Sequence, residues 1–233
     1  MQRILALVLS AWACAGPPAS PASQPSSPVV PDSLNRPWVE SSFDRAQERL
    51  ERDGRDVFES RHEVIKALDL KPGQTVADIG SGSGFMVDLM ADAVGPRGKV
   101  YAVDIAKNLL AGVKARAEEA GKTQIETVLS TERDTNLPED ELDLVFSSDT
   151  YHHFAYPQDT LQSIRRALRP GGRWVVIDFI RDPKRSADWV LEHVRADKRT
   201  VIREIQAAGF QFVRERDIPG LTDSYFIEFE SPS

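Results

Sequence analysis

Apolar positions recur along this chain with two periods, and the switches between them predict the elements. Residues 41–58 set Phe43, Ala46, Leu50, Val57 and Phe58 among charges at helical spacing, interrupted at Gly54. Residues 61–70 form a second helix that stops at Lys71-Pro72-Gly73. The period then shortens. Residues 75–79 are a β-rich run, and residues 85–94 return to helix with Phe85, Met86, Leu89, Met90 and Ala93 on one face. After a turn at 95–98, residues 99–103 form a strand closing on Asp104, and residues 106–120 carry Leu109, Leu110, Val113 and Ala117 at helical spacing. Strands follow at 125–129 and 142–146, a helix at 158–168, a buried strand at 174–179 (WVVIDF), a helix at 200–208 and paired strands at 212–214 and 225–229.

Strand and helix in alternation imply a doubly wound parallel α/β sheet with helices on both faces. Ligands of such sheets bind beyond the carboxyl ends of the strands, where the strand order reverses. The segments to inspect are therefore 78–84, 104–105, 130–134, 147–154 and 178–182.

Composition changes the picture first at the N-terminus. Residues 1–15 (MQRILALVLSAWACA) have a basic start at Arg3 and then an apolar stretch broken only by Ser10. It is shorter than the roughly 20 residues of a membrane span and reads as an export signal. Either it is a signal peptide cleaved after Ala13-Cys14-Ala15, or Cys14 accepts a lipoprotein anchor behind a loosely matching Ala11-Trp12-Ala13. The expected location is the periplasm, free or as a membrane-anchored lipoprotein. Residues 16–37 open with the uncharged run GPPASPASQPSSPVVP and read as a disordered linker. The folded domain is expected over 38–233, with N-terminal helices at 38–70 and the α/β core at 75–233. Cys14 is the only cysteine, so that domain has neither a disulfide nor a thiolate nucleophile. Of 29 basic and 36 acidic residues only Arg3 falls within 1–15, so the remainder has a net charge of −8. That balance argues against nucleic acid as a partner.

The first strand end is the loop Gly80-Ser81-Gly82-Ser83-Gly84 behind Asp78. Glycine serves where the backbone takes positive φ or a ligand must approach closely, and N–H groups at a helix start can face an anion. Here the spacing is G-x-G-x-G rather than the G-x-G-x-x-G of nicotinamide sites. No basic residue lies between Val76 and Met86, and a P-loop's Lys-Ser/Thr pair is absent, so a diphosphate is disfavoured. Asp104, at the second strand end, is placed to accept both hydroxyls of a ribose; its other reading is a carboxylate at a helix N-terminus. Two strand ends point to a nucleoside.

VADIGSGSG, YAVD, LPEDELDLVFSSDTYHHF and LRPGGRWVVIDF, in that order, resemble the motifs of class I S-adenosylmethionine-dependent methyltransferases across residues 60–230. The resemblance implies a Rossmann-like seven-stranded sheet, mostly parallel with an antiparallel C-terminal strand, and S-adenosyl-L-methionine as cofactor. It implies that Asp78, Gly80, Ser81, Gly82, Ser83 and Gly84 line the methionine part, Asp104 holds the ribose and Ile105 lies against the adenine. Glu132 or Asp134 would accept from the adenine amine. The carboxylates Asp78 and Asp104 oppose the ammonium and sulfonium charges of such a ligand. The fourth strand end, from Ser147 to Phe154, would contact the sulfonium and the acceptor. An imidazole there can remove a proton from an acceptor, oriented by Tyr151 or Asp149. Adjacent histidines point apart, and His153 is preferred over His152. No metal is expected, because no third ligand is spaced for one.

Acceptor pockets in this family usually draw on the N-terminal helices and the segment after the fifth strand. Here residues 38–61 and 180–199 supply Trp38, Phe43, Phe58, Trp189 and His193, as an apolar lid or as ordinary packing. Arg55, Arg61 and Arg195 bind an acidic acceptor or are simply solvated. The chain is similar to ubiquinone and menaquinone C-methyltransferases in its glycine loop and PGG, but YHHF departs from their pattern. Arsenite methylation would require cysteines in the folded domain. The expected activity is methylation of an unidentified small molecule by a monomer or weak dimer. Two alternatives stand beside it: an NAD-dependent oxidoreductase, and a non-catalytic S-adenosylmethionine-binding protein, because an exported enzyme needs an outside supply of a cytoplasmic cofactor.

Overall fold

The computed structural model describes residues 27–232; the expected signal at 1–15, with Cys14, and the linker up to residue 26 lie outside them. Four helices lead in: α1 (Asp32–Val39), α2 (Phe43–Leu50), α3 (Asp56–Glu59) and α4 (Arg61–Leu68). They are followed by β1 (Thr75–Ile79), α5 (Phe85–Val94), β2 (Lys99–Asp104), α6 (Lys107–Glu119), β3 (Ile125–Leu129) and β4 (Leu142–Ser148). After a 3₁₀ turn at Tyr151–His153 come α7 (Pro157–Ala167), β5 (Leu168–Phe179), α8 (Asp188–His193), α9 (Lys198–Ala207), β6 (Gln211–Arg216) and β7 (Ser224–Glu230). Local chemistry sets several boundaries. Asp197 caps α9 by accepting from the Thr200 N–H at 2.8 Å, and Pro157 opens α7, where its missing N–H costs nothing.

The seven strands lie in the order β3-β2-β1-β4-β5-β7-β6. The first five are mutually parallel, and β7 runs antiparallel to both β5 and β6. The strand order reverses between β1 and β4, so the crevice beyond their carboxyl ends is where a ligand fits. Successive residues of each strand feed opposite faces. Ala77, Tyr101 and Trp174 pack with Leu161 and Ile164 of α7 and Val201 and Ile205 of α9. Their neighbours Val76, Val100 and Val175 pack with Val64 and Leu68 of α4, Met86 and Met90 of α5, and Val113 of α6. The sheet is thus buried on both faces, as its apolar strands require.

Ordered structure begins earlier than Trp38. Val30 is buried, the Val29 N–H donates to the Ala155 carbonyl at 2.8 Å, and α1 starts at Asp32 inside the segment read as linker. This helix has one buried residue, Asn35, and no apolar stripe, so nothing in its periodicity announces it. The 3₁₀ turn and α8 were also unannounced, being too short to show a helical period. At β5 the strand reaches back through Arg169-Pro170-Gly171-Gly172, with a register irregularity where it pairs with β4 between Leu142 and Leu144.

Candidate active site

A cavity of about 420 Å³ lies over the β1–β4 reversal, lined by residues from the ends of β1, β2, β4 and β5 and from the helices α1 and α8. That volume falls within the usual range for a small-molecule site. One end is built from the glycine loop. Gly80 and Gly82 both take positive φ, at 74° and 54°. A Cβ at Gly80 would strike the Thr150 side chain, and one at Gly82 would come within 2.6 Å of Leu50 Cδ1. The N–H groups of Gly80 and Ser81 donate to the Val103 carbonyl at 2.8 and 3.0 Å, and that of Gly82 donates to Asp104 Oδ2 at 2.9 Å. Three consecutive loop amides are therefore spent inside the protein rather than offered to an anion.

Asp78 and Asp104 both line this end, 3% and 8% exposed. Asp104 is held by the Gly82 and Ala106 N–H groups, the latter at 2.8 Å to Oδ1. Burial raises the Asp104 pKa despite these donors. Burial, then the neighbouring Asp104 charge, pushes the Asp78 carboxyl up to about 8. Two buried carboxyls a strand apart, with no cation between them among the described residues, call for a cationic ligand. Ser81 Oγ, buried on the same wall, has no hydrogen-bond partner among the described residues. These residues fit the amino-acid and ribose portions of S-adenosylmethionine, with Ile105, Leu109 and Glu132 on the wall beyond Asp104.

Several expected donor-side residues lie elsewhere. Asp134 points away and pairs with Arg166 at 2.7 Å, which leaves Glu132 as the acid on the cavity wall. Ser147 is buried against Trp174, whose Nε1–H donates to its Oγ at 3.3 Å; the next residue, Ser148, reaches the cavity instead, because alternate strand residues face opposite ways. Ser83 and Gly84 sit behind the lining, with Gly84 serving as the N-cap of α5.

The other end is made of side chains from distant segments. The two adjacent histidines do not point apart as expected: the 3₁₀ turn brings both His152 and His153 to the cavity, with their ring centroids 4.3 Å apart. His152 Nδ1 lies 2.7 Å from Asp178 Oδ1, and Asp178 Oδ2 also accepts from the His152 N–H at 3.0 Å. Burial opposes the His152 cation, yet the Asp178 carboxylate outweighs it and raises the pKa. His153 Nδ1 lies 2.9 Å from Asn35 Oδ1, while Asn35 Nδ2 donates to the His153 carbonyl at 3.1 Å. Burial, with the neighbouring His152 and His193, lowers the His153 pKa to about 2. His193 of α8 closes the group at 5.0 and 5.3 Å from the other two rings.

Tyr151 is not part of this wall. The 3₁₀ turn directs it into the core beside Trp174, where its hydroxyl donates to Glu204 Oε2 at 2.7 Å. Asp149 does line the cavity: its backbone takes φ 49°, Oδ2 accepts from Arg55 at 2.7 Å, and Oδ1 is buried without a partner among the described residues. Trp38 and Trp189 also line it, whereas Phe43 packs on Gly112 and Phe58 on Phe85. Arg61 stacks on Phe58 and Arg195 pairs with Glu204, both outside the cavity. Two residues given no role from the sequence orient the histidines: Asn35, and Asp178 at the fifth strand end. Asp178 carried a signal: an acid inside the apolar run WVVIDF must find a buried partner.

A family profile described as "Methyltransferase domain" matches residues 77–176. Among curated proteins, the chain is 29% identical over 50% of its length to the ubiquinone/menaquinone biosynthesis C-methyltransferase UbiE of Ectopseudomonas mendocina, covering 46% of that protein. It is 29% identical over 51% of its length to phosphoethanolamine N-methyltransferase 2 of Caenorhabditis elegans, covering 27% of that one. The chain thus spans less than half the length of these curated relatives. Among solved structures, a SAM-dependent methyltransferase from Aquifex aeolicus superposes with a TM-score of 0.72 at 24% identity, covering 82% of this chain and all of that one. Residues 77–176 thus match a methyltransferase domain, and the chain has the fold of the S-adenosylmethionine-dependent methyltransferases.

Proposed function

We propose that the protein transfers a methyl group from S-adenosylmethionine to a small molecule, and that residues 1–15 direct its export. The observation that carries the first part is the donor end: two buried carboxyls on the wall, and three loop amides already bound to β2. An ammonium and a ribose suit that wall, whereas the diphosphate of a dinucleotide needs the amides free. When bound, S-adenosylmethionine supplies a methyl on a positively charged sulfur that departs neutral. The chain's own task is therefore to position the acceptor and exclude water, which can contribute about 7–11 kcal/mol.

Asp78 and Ser81 would hold the amino-acid portion, Asp104 the ribose and Glu132 the adenine amine. His152 and His153 would meet the acceptor, with Trp38 edge-on to His153 and Trp189 against His193. The basic groups Arg49, Arg52 and Arg185 on the cavity wall favour an acceptor with acidic character. The relatives' names support the reaction class, and the departure at YHHF from the quinone methyltransferase pattern disfavours a quinone acceptor.

Isothermal titration with S-adenosylhomocysteine and with NAD tests the cofactor: binding of the first alone is expected, and binding of NAD alone overturns the proposal. Transfer of labelled methyl into a cell-envelope extract tests catalysis, and a protein that binds the cofactor but moves no label is a binding protein. Export is tested by fractionation and by the mass of the mature chain, with Cys14→Ser distinguishing lipidation from cleavage after Ala15.

A further inference from the structure

We propose that His152, His153 and His193 form a binding site for a divalent transition-metal ion of the zinc class, open on its fourth side to the acceptor end of the cavity. One ring nitrogen of each residue lies within 4.8 Å of the other two. All three rings line the same cavity, so an ion can reach them.

The hydrogen bonds determine which nitrogens are available. Asn35 donates through Nδ2 to the His153 carbonyl, so its Oδ1 is an acceptor and the His153 Nδ1 facing it carries the proton. Asp178 accepts from the His152 and Phe179 backbone N–H groups, so it faces His152 Nδ1 as a carboxylate and that nitrogen is also N–H. In the neutral tautomers both Nε2 atoms therefore carry lone pairs. An imidazole whose Nδ1–H is anchored on a carboxylate or amide oxygen is the usual arrangement of a metal-ligating histidine. Ring-only ligands suit zinc and its neighbours rather than calcium or magnesium. Three nitrogens at about 2.0–2.1 Å from one ion stand closer together than 4.8 Å. His193, half-buried on the six-residue α8, is the ring placed to swing in.

An ion here would take a hydroxyl or thiol of the acceptor in its fourth position and release that group's proton to water. This role rests on the methyl-transfer reading; the metal site does not. Untagged full-length protein, stripped with a chelator, is titrated with Co²⁺ and then Zn²⁺ while S-adenosylhomocysteine binding is measured in parallel. The expected result is one equivalent of Co²⁺ with ligand-field bands of low coordination number, displaced by Zn²⁺. His193→Ala should weaken Co²⁺ binding at least tenfold and leave S-adenosylhomocysteine binding intact, which also shows that the variant folds. Asp178→Asn should weaken Co²⁺ binding about 10–100-fold. Absence of such bands up to millimolar Co²⁺ in protein that binds S-adenosylhomocysteine, or unchanged Co²⁺ affinity in His193→Ala, overturns the site. The chain has only one other histidine, His62, so a retained signal is readily traced. Loss of S-adenosylhomocysteine binding with Co²⁺ bands present would instead overturn the cofactor reading.

Discussion

The two ends of the cavity are built on opposite plans. At the donor end, Asp78, the glycine loop and Asp104 come from adjacent parallel strands, and the loop is locked by its own N–H groups, which donate to the Val103 carbonyl and the Asp104 carboxylate. At the acceptor end, Asn35, Asp149, His152, His153, Asp178 and His193 come from four separate segments and are held through side chains. A ligand shape written into backbone tolerates little substitution. One written into side chains can be changed for another acceptor without disturbing the sheet.

Breaking the donor end should have the largest effect. Asp104→Ala removes a carboxylate that accepts from two buried N–H groups, each such bond being worth about 1.5–3 kcal/mol, so S-adenosylhomocysteine affinity should fall by about 100-fold or more by calorimetry. A milder loss under Asp104→Ala than under any acceptor-side change would reverse the comparison.

Proton linkage comes next. Asp78, pushed up to about 8, is protonated in the cofactor-free protein at neutral pH and must ionise to meet an ammonium. Affinity for S-adenosylhomocysteine should then rise by up to about tenfold per pH unit between pH 6 and 8 and level off above. The stability of the cofactor-free protein runs the other way. Its folded-state pKa lies above the unfolded value of about 4, so this group's contribution is complete below pH 4 and drains as pH rises to about 8. A pH-independent affinity would show that Asp78 carries no charge toward the ligand.

Smaller effects separate neighbours. Glu132→Gln should weaken S-adenosylhomocysteine about tenfold, whereas Asp134→Ala, paired with Arg166 on the surface, should stay within about twofold. Asn35→Ala should cost about 1 kcal/mol in chemical denaturation and lower methyl transfer, with cofactor affinity unchanged. Smallest at the site is Tyr151→Phe: about 1 kcal/mol of stability lost with the Glu204 bond, and methyl-transfer kcat altered less than about threefold. A large drop in kcat there would return Tyr151 to the acceptor wall.

The strands and long helices were legible because their apolar positions keep a period that burial on both faces of a sheet enforces; β1, α5 and β3 begin and end where that period does. The donor motif was legible for a related reason. Its residues are neighbours in sequence, and glycine at positive φ has few substitutes. α1 escaped notice because a short polar helix that docks through Asn35 shows no period. Tyr151 and Ser147 were misplaced because the sequence does not reveal how a strand end rotates, and one residue of rotation exchanges cavity for core.

From the sequence alone follow the alternating α/β order, the glycine loop with its two acids, and the argument against a diphosphate, all consequences of local periodicity, backbone freedom and charge. Tertiary structure alone decided that Asn35 and Asp178 hold the two histidine tautomers, that Glu132 rather than Asp134 reaches the cavity, and that His193 joins His152 and His153. The reason is that such pairings link residues far apart in the chain, and their distances are set by how the helices dock on the sheet.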